Sequence, residues 1–181
     1  MRIPIQNIFF LLSYAWNNLE EANRLEISAD DYKDAMSLLC RVFISGTNHV
    51  LKKGLYNSDI SSTEEYPGIK GKSEFEQSFN TQLFQQGKAI CTFDFFSPNI
   101  LHNQIIKSVL GRLGRMPSLS KKQKKEVWAC YYRFSQVDEI DVQLHHFKKI
   151  KVHRNNYEYG FLFNLARLII ENTVLDEASG Q

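Results

Sequence analysis

The 181-residue chain has no excess of either charge, no long apolar run and no closely spaced pair of cysteines. Each absence excludes something. A net charge of +2 gives no global electrostatic reason to expect nucleic acid. The longest apolar runs, Ile8–Leu12 and Val127–Tyr132, fall far short of the roughly 20 residues that a membrane-spanning helix needs. The N-terminus, Met1-Arg2-Ile3-Pro4-Ile5, lacks the charged stretch, apolar stretch and cleavage site of a secretory signal. Cys40, Cys91 and Cys130 are odd in number and far apart, so they read as reduced core thiols in a cytoplasmic protein. A zinc site wants ligand pairs two to four residues apart, and no cysteine pair has that spacing.

Hydrophobic residues make up 43% and charged residues 23%, the balance of a soluble globular protein. Aromatics reach 13%, with 13 Phe and 8 Tyr, enough for a large core in one domain. The near-neutral total conceals an uneven distribution. Residues 107–154 hold 12 Lys/Arg against 4 Asp/Glu, a net of +8, while the segments on either side are each −3. The densest parts are Lys121–Lys125 and His146–Arg154. Such a strip suits phosphates or an acidic partner, and equally a solvated helix face followed by an exposed strand.

The periodicity predicts an α+β fold: N-terminal helices, a small antiparallel sheet or partial barrel, then further helices. Ile8, Leu11, Leu12, Ala15 and Leu19 share one helical face, with Asn7 as N-cap. A second helix opens near Asp30-Asp31 and stops at Lys52-Lys53-Gly54, so 1–54 is helical. From 55 to 96 turn residues multiply, at Asn57-Ser58-Asp59, Ser61-Ser62-Thr63 and Pro67-Gly68, and short strands are expected at Leu55–Ile60, Ile69–Phe79 and Ala89–Phe96, with a helical turn in Gln77–Gln86 as the alternative. Ser97-Pro98 reads as a helix start, Gly114–Pro117 as its end, and Ser118 or Ser120 as the next cap. Gln136–Leu144 reads as an acidic strand or loop, His146–Arg154 as part of a hairpin, and Tyr157–Leu175 as the last helix. Thus 97–175 is mainly helical with a short β hairpin.

Catalytic motifs are missing. There is no phosphate-binding G-x-x-x-x-G-K-[ST] loop; Gly68-Ile69-Lys70-Gly71-Lys72 reads as a turn with exposed cations. The D-x-K triplet Asp31-Tyr32-Lys33 opens a helix, and the five histidines have no Ser or Cys in a nucleophile elbow. On a strand, Glu139 and Asp141 would share one face; they read as solvent-exposed acids, with the metal-holding pair of a free-standing nuclease as the alternative.

Three stretches together resemble the McrC family, subunits of modification-dependent restriction systems. The first is Ile3–Trp16, similar to the family's opening IPxxNIYYMLxYAW. The second is Tyr66-Pro67-Gly68-Ile69-Lys70-Gly71-Lys72 with Phe75 after it, similar to PGIKGRIxF. The third runs from Gly87-Lys88 through Cys91–Ser97 to Asn99–Lys107, similar to YDEFSEDILxNRIIK. Gln104 stands where the family has Arg, which puts that residue's contact in doubt.

The resemblance implies an N-terminal McrC region that associates with a McrB-like AAA+ GTPase ring, stimulates GTP hydrolysis, and meets DNA only through the assembly, with no membrane. The family's PD-(D/E)xK endonuclease would lie C-terminal to the matched part, so no catalytic or metal-binding residue transfers. No cofactor is implied in this chain; Mg²⁺ belongs to that nuclease and GTP to the partner. Phage defence against DNA carrying 5-methylcytosine is the implied setting. Candidate contacts to partner or DNA are Lys70, Lys72, Lys148, Lys149, Lys151 and Arg154. The alternative reading is a direct DNA-binding module using the basic 107–154 segment.

Overall fold

A computed structural model describes residues 35–153 and 156–179. The expected helix over Ile8–Leu19 and the start of the next lie outside the described residues. The chain divides into a helical unit, built from residues up to Tyr56 and from Leu101 onward, and a β unit, Asn57–Ile100. The α+β reading is borne out by six helices and one three-stranded antiparallel sheet among the described residues.

In the helical unit, α1 spans Ala35–Lys53. Its last turn holds Lys52 and Lys53, and after it Gly54 adopts φ +97°, a left-handed cap that glycine takes without penalty. Helix α3 (Leu101–Arg115), α4 (Lys121–Tyr131), α5 (Leu144–Lys149) and α6 (Tyr157–Ser179) complete the unit. Helices α1 and α3 each pack against both α4 and α6, so four helices enclose one core. Phe43, Ile105, Ile106, Leu110, Leu113, Val127, Phe134, Leu162, Leu165 and Ile169 are fully buried there. Burying side chains of this kind contributes about 1.5–3 kcal/mol each.

Helix α3 is buried on more than its apolar stripe, and two glycines make that possible. A Cβ at Gly114 would stand 2.6 Å from the Trp128 indole, and one at Gly111 would stand 2.6 Å from the Glu139 carboxylate. A helical glycine costs about 1 kcal/mol relative to alanine; here it admits the neighbouring group against the backbone. Ser120 caps α4 with a full capping box: its hydroxyl accepts from the Gln123 N–H while the Gln123 side chain accepts from the Ser120 N–H. Cys40, Cys91 and Cys130 are buried, unbridged thiols. Burial pushes the Cys40 thiol up to about 12, so it stays protonated.

In the β unit, β1 (Ser58–Pro67) pairs antiparallel with β3 (Lys88–Ser97) along its whole length, and the two-residue β2 (Lys72–Ser73) pairs with β3 on the other side. Helix α2 (Phe75–Asn80) and a 3-10 turn (Leu83–Gln86) link β2 to β3.

Four expectations change. Ser61-Ser62-Thr63 is the middle of β1, not a turn. Ser61 hydrogen-bonds Asp94 and Thr63 meets Thr92 at 2.8 Å, so cross-strand partners use hydroxyls that resembled turn formers. The Ile69–Phe79 strand shrinks to Lys72–Ser73 and then becomes α2, which accords with the helical turn expected in Gln77–Gln86. Ser97 ends β3; its hydroxyl accepts from the Asn99 N–H, and α3 begins at Leu101. Finally, of the extended hairpin expected over His146–Arg154, residues 146–149 belong to α5 and 150–153 form no strand. The Gln143 N–H donates to His146 Nδ1 at 3.0 Å, closing a capping box, and Phe147 and Ile150 pack on the core at helical spacing.

Candidate partner-binding surface

The candidate cations fall on both units. Lys70 lies on the turn between β1 and β2, and Lys72 is the first residue of β2. Gly68 (φ +90°) and Gly71 (φ +66°) shape that turn. Gly71 is pressed onto the strand: a Cβ there would be 2.5 Å from the Thr92 carbonyl oxygen. The Lys70 N–H donates to Cys91 Sγ at 3.4 Å, and its ammonium sits 3.8 Å from the Phe93 ring centroid and 5.1 Å from that of Tyr66. This cation–π stacking orients the charge. Lys72 pairs with Glu74 at 3.1 Å, and that pairing, with a hydrogen bond from Thr92, holds the Glu74 carboxyl below its usual range.

Lys148, Lys149 and Lys151 belong to the helical unit. They are exposed and make no ion pair among the described residues. The Lys151 backbone is held by His102, whose Nε2 lies 3.2 Å from its carbonyl oxygen. Burial keeps the His102 ring below its ordinary pKa, within a nest of Tyr56, Tyr159 and Phe163. Arg154 lies outside the described residues.

The basic segment does not form one strip of available charge. Lys107 donates to the Phe134 carbonyl at 3.0 Å and to that of Val137, and lies over the Tyr131 ring. Arg112 donates to Thr173 Oγ1, Arg133 reaches Asn48, and Arg115 grips Glu139 with two bonds, 2.7 and 3.2 Å. Lys121, Lys122 and Lys125 do stand exposed at the start of α4, as their position in the sequence implied.

The Arg115 contact speaks against the alternative that Glu139 and Asp141 are a metal-holding pair. Their segment forms no strand. Glu139 also accepts from the Tyr131 hydroxyl at 2.6 Å, and Arg115 holds its carboxyl below the usual range. Asp141 accepts from Gln143 Nε2 at 2.8 Å. Both acids line a cavity of about 430 Å³ with Arg112 and Arg115. Among the described residues no group of three His, Cys, Asp or Glu is placed to hold a metal ion, and no helix is long and apolar enough to cross a membrane.

Sequence reasoning assigned no role to the buried polar triangle beside α3. Asn103 Nδ2 donates to the Tyr56 carbonyl at 2.8 Å, the Tyr159 hydroxyl donates to Asn103 Oδ1 at 2.7 Å, and the Tyr56 N–H donates to the Tyr159 oxygen at 3.0 Å. Asn103 is fully buried, and burial pushes the Tyr159 hydroxyl up to about 12, so it remains a donor. The triangle fastens the end of the first helical segment to the start of the second. The available signal was an Asn on the apolar face of α3, which must find partners when buried.

The β unit also carries a group of exposed aromatic rings. Phe75 and Phe79 of α2 are 68% and 67% exposed, and Phe84 of the 3-10 turn is 37% exposed. The Phe75 and Phe79 rings stack at 6.3 Å with 15° between planes, and Phe84 lies 5.2 Å from Phe75.

Comparison with known proteins gives this geometry a family. The family model described as McrBC 5-methylcytosine restriction system component matches residues 6–181. The type IV methyl-directed restriction enzyme EcoKMcrBC of Escherichia coli K12 is 28% identical over 178 residues, which is 98% of this chain and 51% of that protein. The chain therefore spans about half the length of that curated relative. Among solved structures, the Thermococcus gammatolerans McrBC complex matches with a TM-score of 0.68 at 15% identity, over 91% of this chain and 50% of that one. A half-complex of McrB AAA+ hexamers with bound McrC from the same organism matches at 0.64 and 15% identity, over 92% and 42%. At that identity the two structures establish a shared fold, and the sequence match carries the assignment. With nearly every residue inside the family model, the chain belongs to the McrBC 5-methylcytosine restriction system component family.

Proposed function

We propose that this chain is the partner-docking region of a McrC-type subunit, which seats on a McrB-type AAA+ ring and raises its rate of GTP hydrolysis. The observation that carries the reading is the family match across residues 6–181, in the order and spacing of the three sequence motifs. The solved neighbours support it, since one is a complex of McrB hexamers with bound McrC. The geometry supports it too. The cations and carboxylates that could serve chemistry are largely occupied with one another, as with Arg115, Glu139 and Tyr131. Among its cations, the surface offers a partner Lys70 and Lys72 of the β unit and the lysines of 148–151. The setting that follows is a cytoplasmic restriction system acting on modified DNA in phage defence, with cleavage left to a nuclease domain using Mg²⁺.

Mixing the chain with its cognate motor subunit tests this directly. Co-elution and a severalfold rise in GTP turnover are expected. Unchanged hydrolysis with no co-elution would reject the reading. A DNA mobility shift that weakens steeply with salt, in the absence of the motor, would favour direct DNA binding instead.

A further inference from the structure

We infer that Phe75, Phe79 and Phe84 are the anchor by which the β unit grips a protein, and that the surface they enter is an apolar cleft with a basic rim on the McrB-type motor subunit. The inference rests on the docking reading above and names the contact within it.

The three rings are outside the unit's interior. Phe75 and Phe79 are four residues apart and share one face of α2, while Ser78, at the flank of that face, is fully buried. The Ser78 hydroxyl accepts from the Ile90 N–H and donates to the Glu74 carbonyl, both at 2.8 Å, so α2 is fastened to β3 by its polar side. Gln82 and Gly87, both with positive φ, bend the chain so that Phe84 joins the pair while Leu83 is buried. The result is a pre-shaped aromatic platform, which limits the ordering entropy lost on binding. At about 200 Å² per ring, the platform exposes on the order of 350 Å² of apolar surface. That is the scale of a functional patch on a monomer and of a central hot spot, and it is about half of one side of a standard interface.

Charge selects the occupant. Residues 57–100 carry Asp59, Glu64, Glu65, Glu74, Glu76 and Asp94 against Lys70, Lys72 and Lys88, a net of −3. A nucleic-acid backbone would be repelled by this unit. A second copy would set −3 against −3. A protein surface with an apolar cleft and Lys or Arg around it complements both the rings and the acids, Glu76 on α2 foremost.

The test uses the full chain and the cognate motor subunit, with affinity read by titration and folding checked by circular dichroism. Phe75→Ser and Phe79→Ser should each lower affinity at least tenfold with the helical signal intact. Glu76→Lys, an exposed change that leaves the rings in place, should slow association severalfold at low salt and less at high salt. If wild-type chain binds the motor and both Phe variants bind equally well, the inference is overturned and the docking reading stands. If wild-type chain does not bind, both fall. If the Phe variants unfold, Glu76→Lys decides: unchanged association overturns the inference. A wild-type dimer dissolved by Phe79→Ser would assign the face to a second copy, and a DNA shift abolished by it would assign the face to nucleic acid; either overturns the inference.

Discussion

The helical unit and the β unit treat apolar surface in opposite ways. In the helical unit, large side chains from four helices reach zero exposure in one core. In the β unit, Ile69, Phe75, Phe79, Phe84, Phe95 and Phe96 are all exposed, and the buried apolar set is small: Leu83, Ala89, Cys91 and Ile100. The same amino acid therefore has two meanings in one chain. Phe134 holds its unit together, whereas Phe79 presents itself to whatever approaches. Hydrophobicity alone does not distinguish them; the surrounding architecture does.

The most direct way to break this comparison is to truncate one residue of each kind. Leu110→Ala should cost about 2–5 kcal/mol, because α3 cannot close over the lost volume. Phe79→Ser should cost no more than about 0.5 kcal/mol, as for other exposed substitutions. Chemical denaturation followed by helical circular dichroism measures both. Equal losses would mean that the Phe platform belongs to a core after all.

The hydrogen bonds sharpen the comparison at a smaller scale. Tyr159→Phe removes one corner of the buried triangle and strands the Tyr56 N–H and one Asn103 lone pair, so a loss of about 1–3 kcal/mol is expected. Thr63→Val removes an exposed cross-strand contact on the sheet and should stay within about 0.5 kcal/mol. Denaturation midpoints of the two variants compare them directly.

The smallest effect concerns His102. Desolvation holds its pKa in the folded protein below the ordinary 6.5, opposed by the hydrogen bond to the Lys151 carbonyl and helped by His153. Below pH 6.5 the unfolded chain therefore binds more protons at this site than the folded one, and stability falls as pH drops. Above that pH the term vanishes. His102→Gln should flatten the stability profile between about pH 7 and 5 relative to wild type, as measured by thermal melts across that range.

What was legible in the sequence had a local cause. Lys52-Lys53-Gly54 stops α1 because cations and a left-handed glycine act within one turn. Ser120 caps α4 through a residue three positions away. The alternation of Ala89–Phe96 gave β3, whose partners lie on both sides. The failures also have causes. The α5 helix is held by a short capping box and two core contacts, while its lysines and histidines read as an extended charged strip. Ser61–Thr63 was mistaken for a turn because its hydroxyls are satisfied across the sheet and not locally. The Asn103–Tyr159 pair spans 56 positions and Arg115–Glu139 spans 24, so neither could be seen in any local window. Of the candidate cations, Lys70 lies on the expected turn whereas Lys72 opens β2, and the rings beside them carried no motif of their own.

In the helical unit the end of the first segment meets the start of the second where Asn103 holds the Tyr56 backbone. From the standpoint of that core, the 44 residues of Asn57–Ile100 are a single excursion that leaves and returns through neighbouring doors. The entropy of closing such an excursion grows only with the logarithm of its length, about 0.6 kcal/mol for each doubling. The β unit can thus lengthen, shorten or exchange its aromatic face over evolutionary time while the helical core scarcely registers the change.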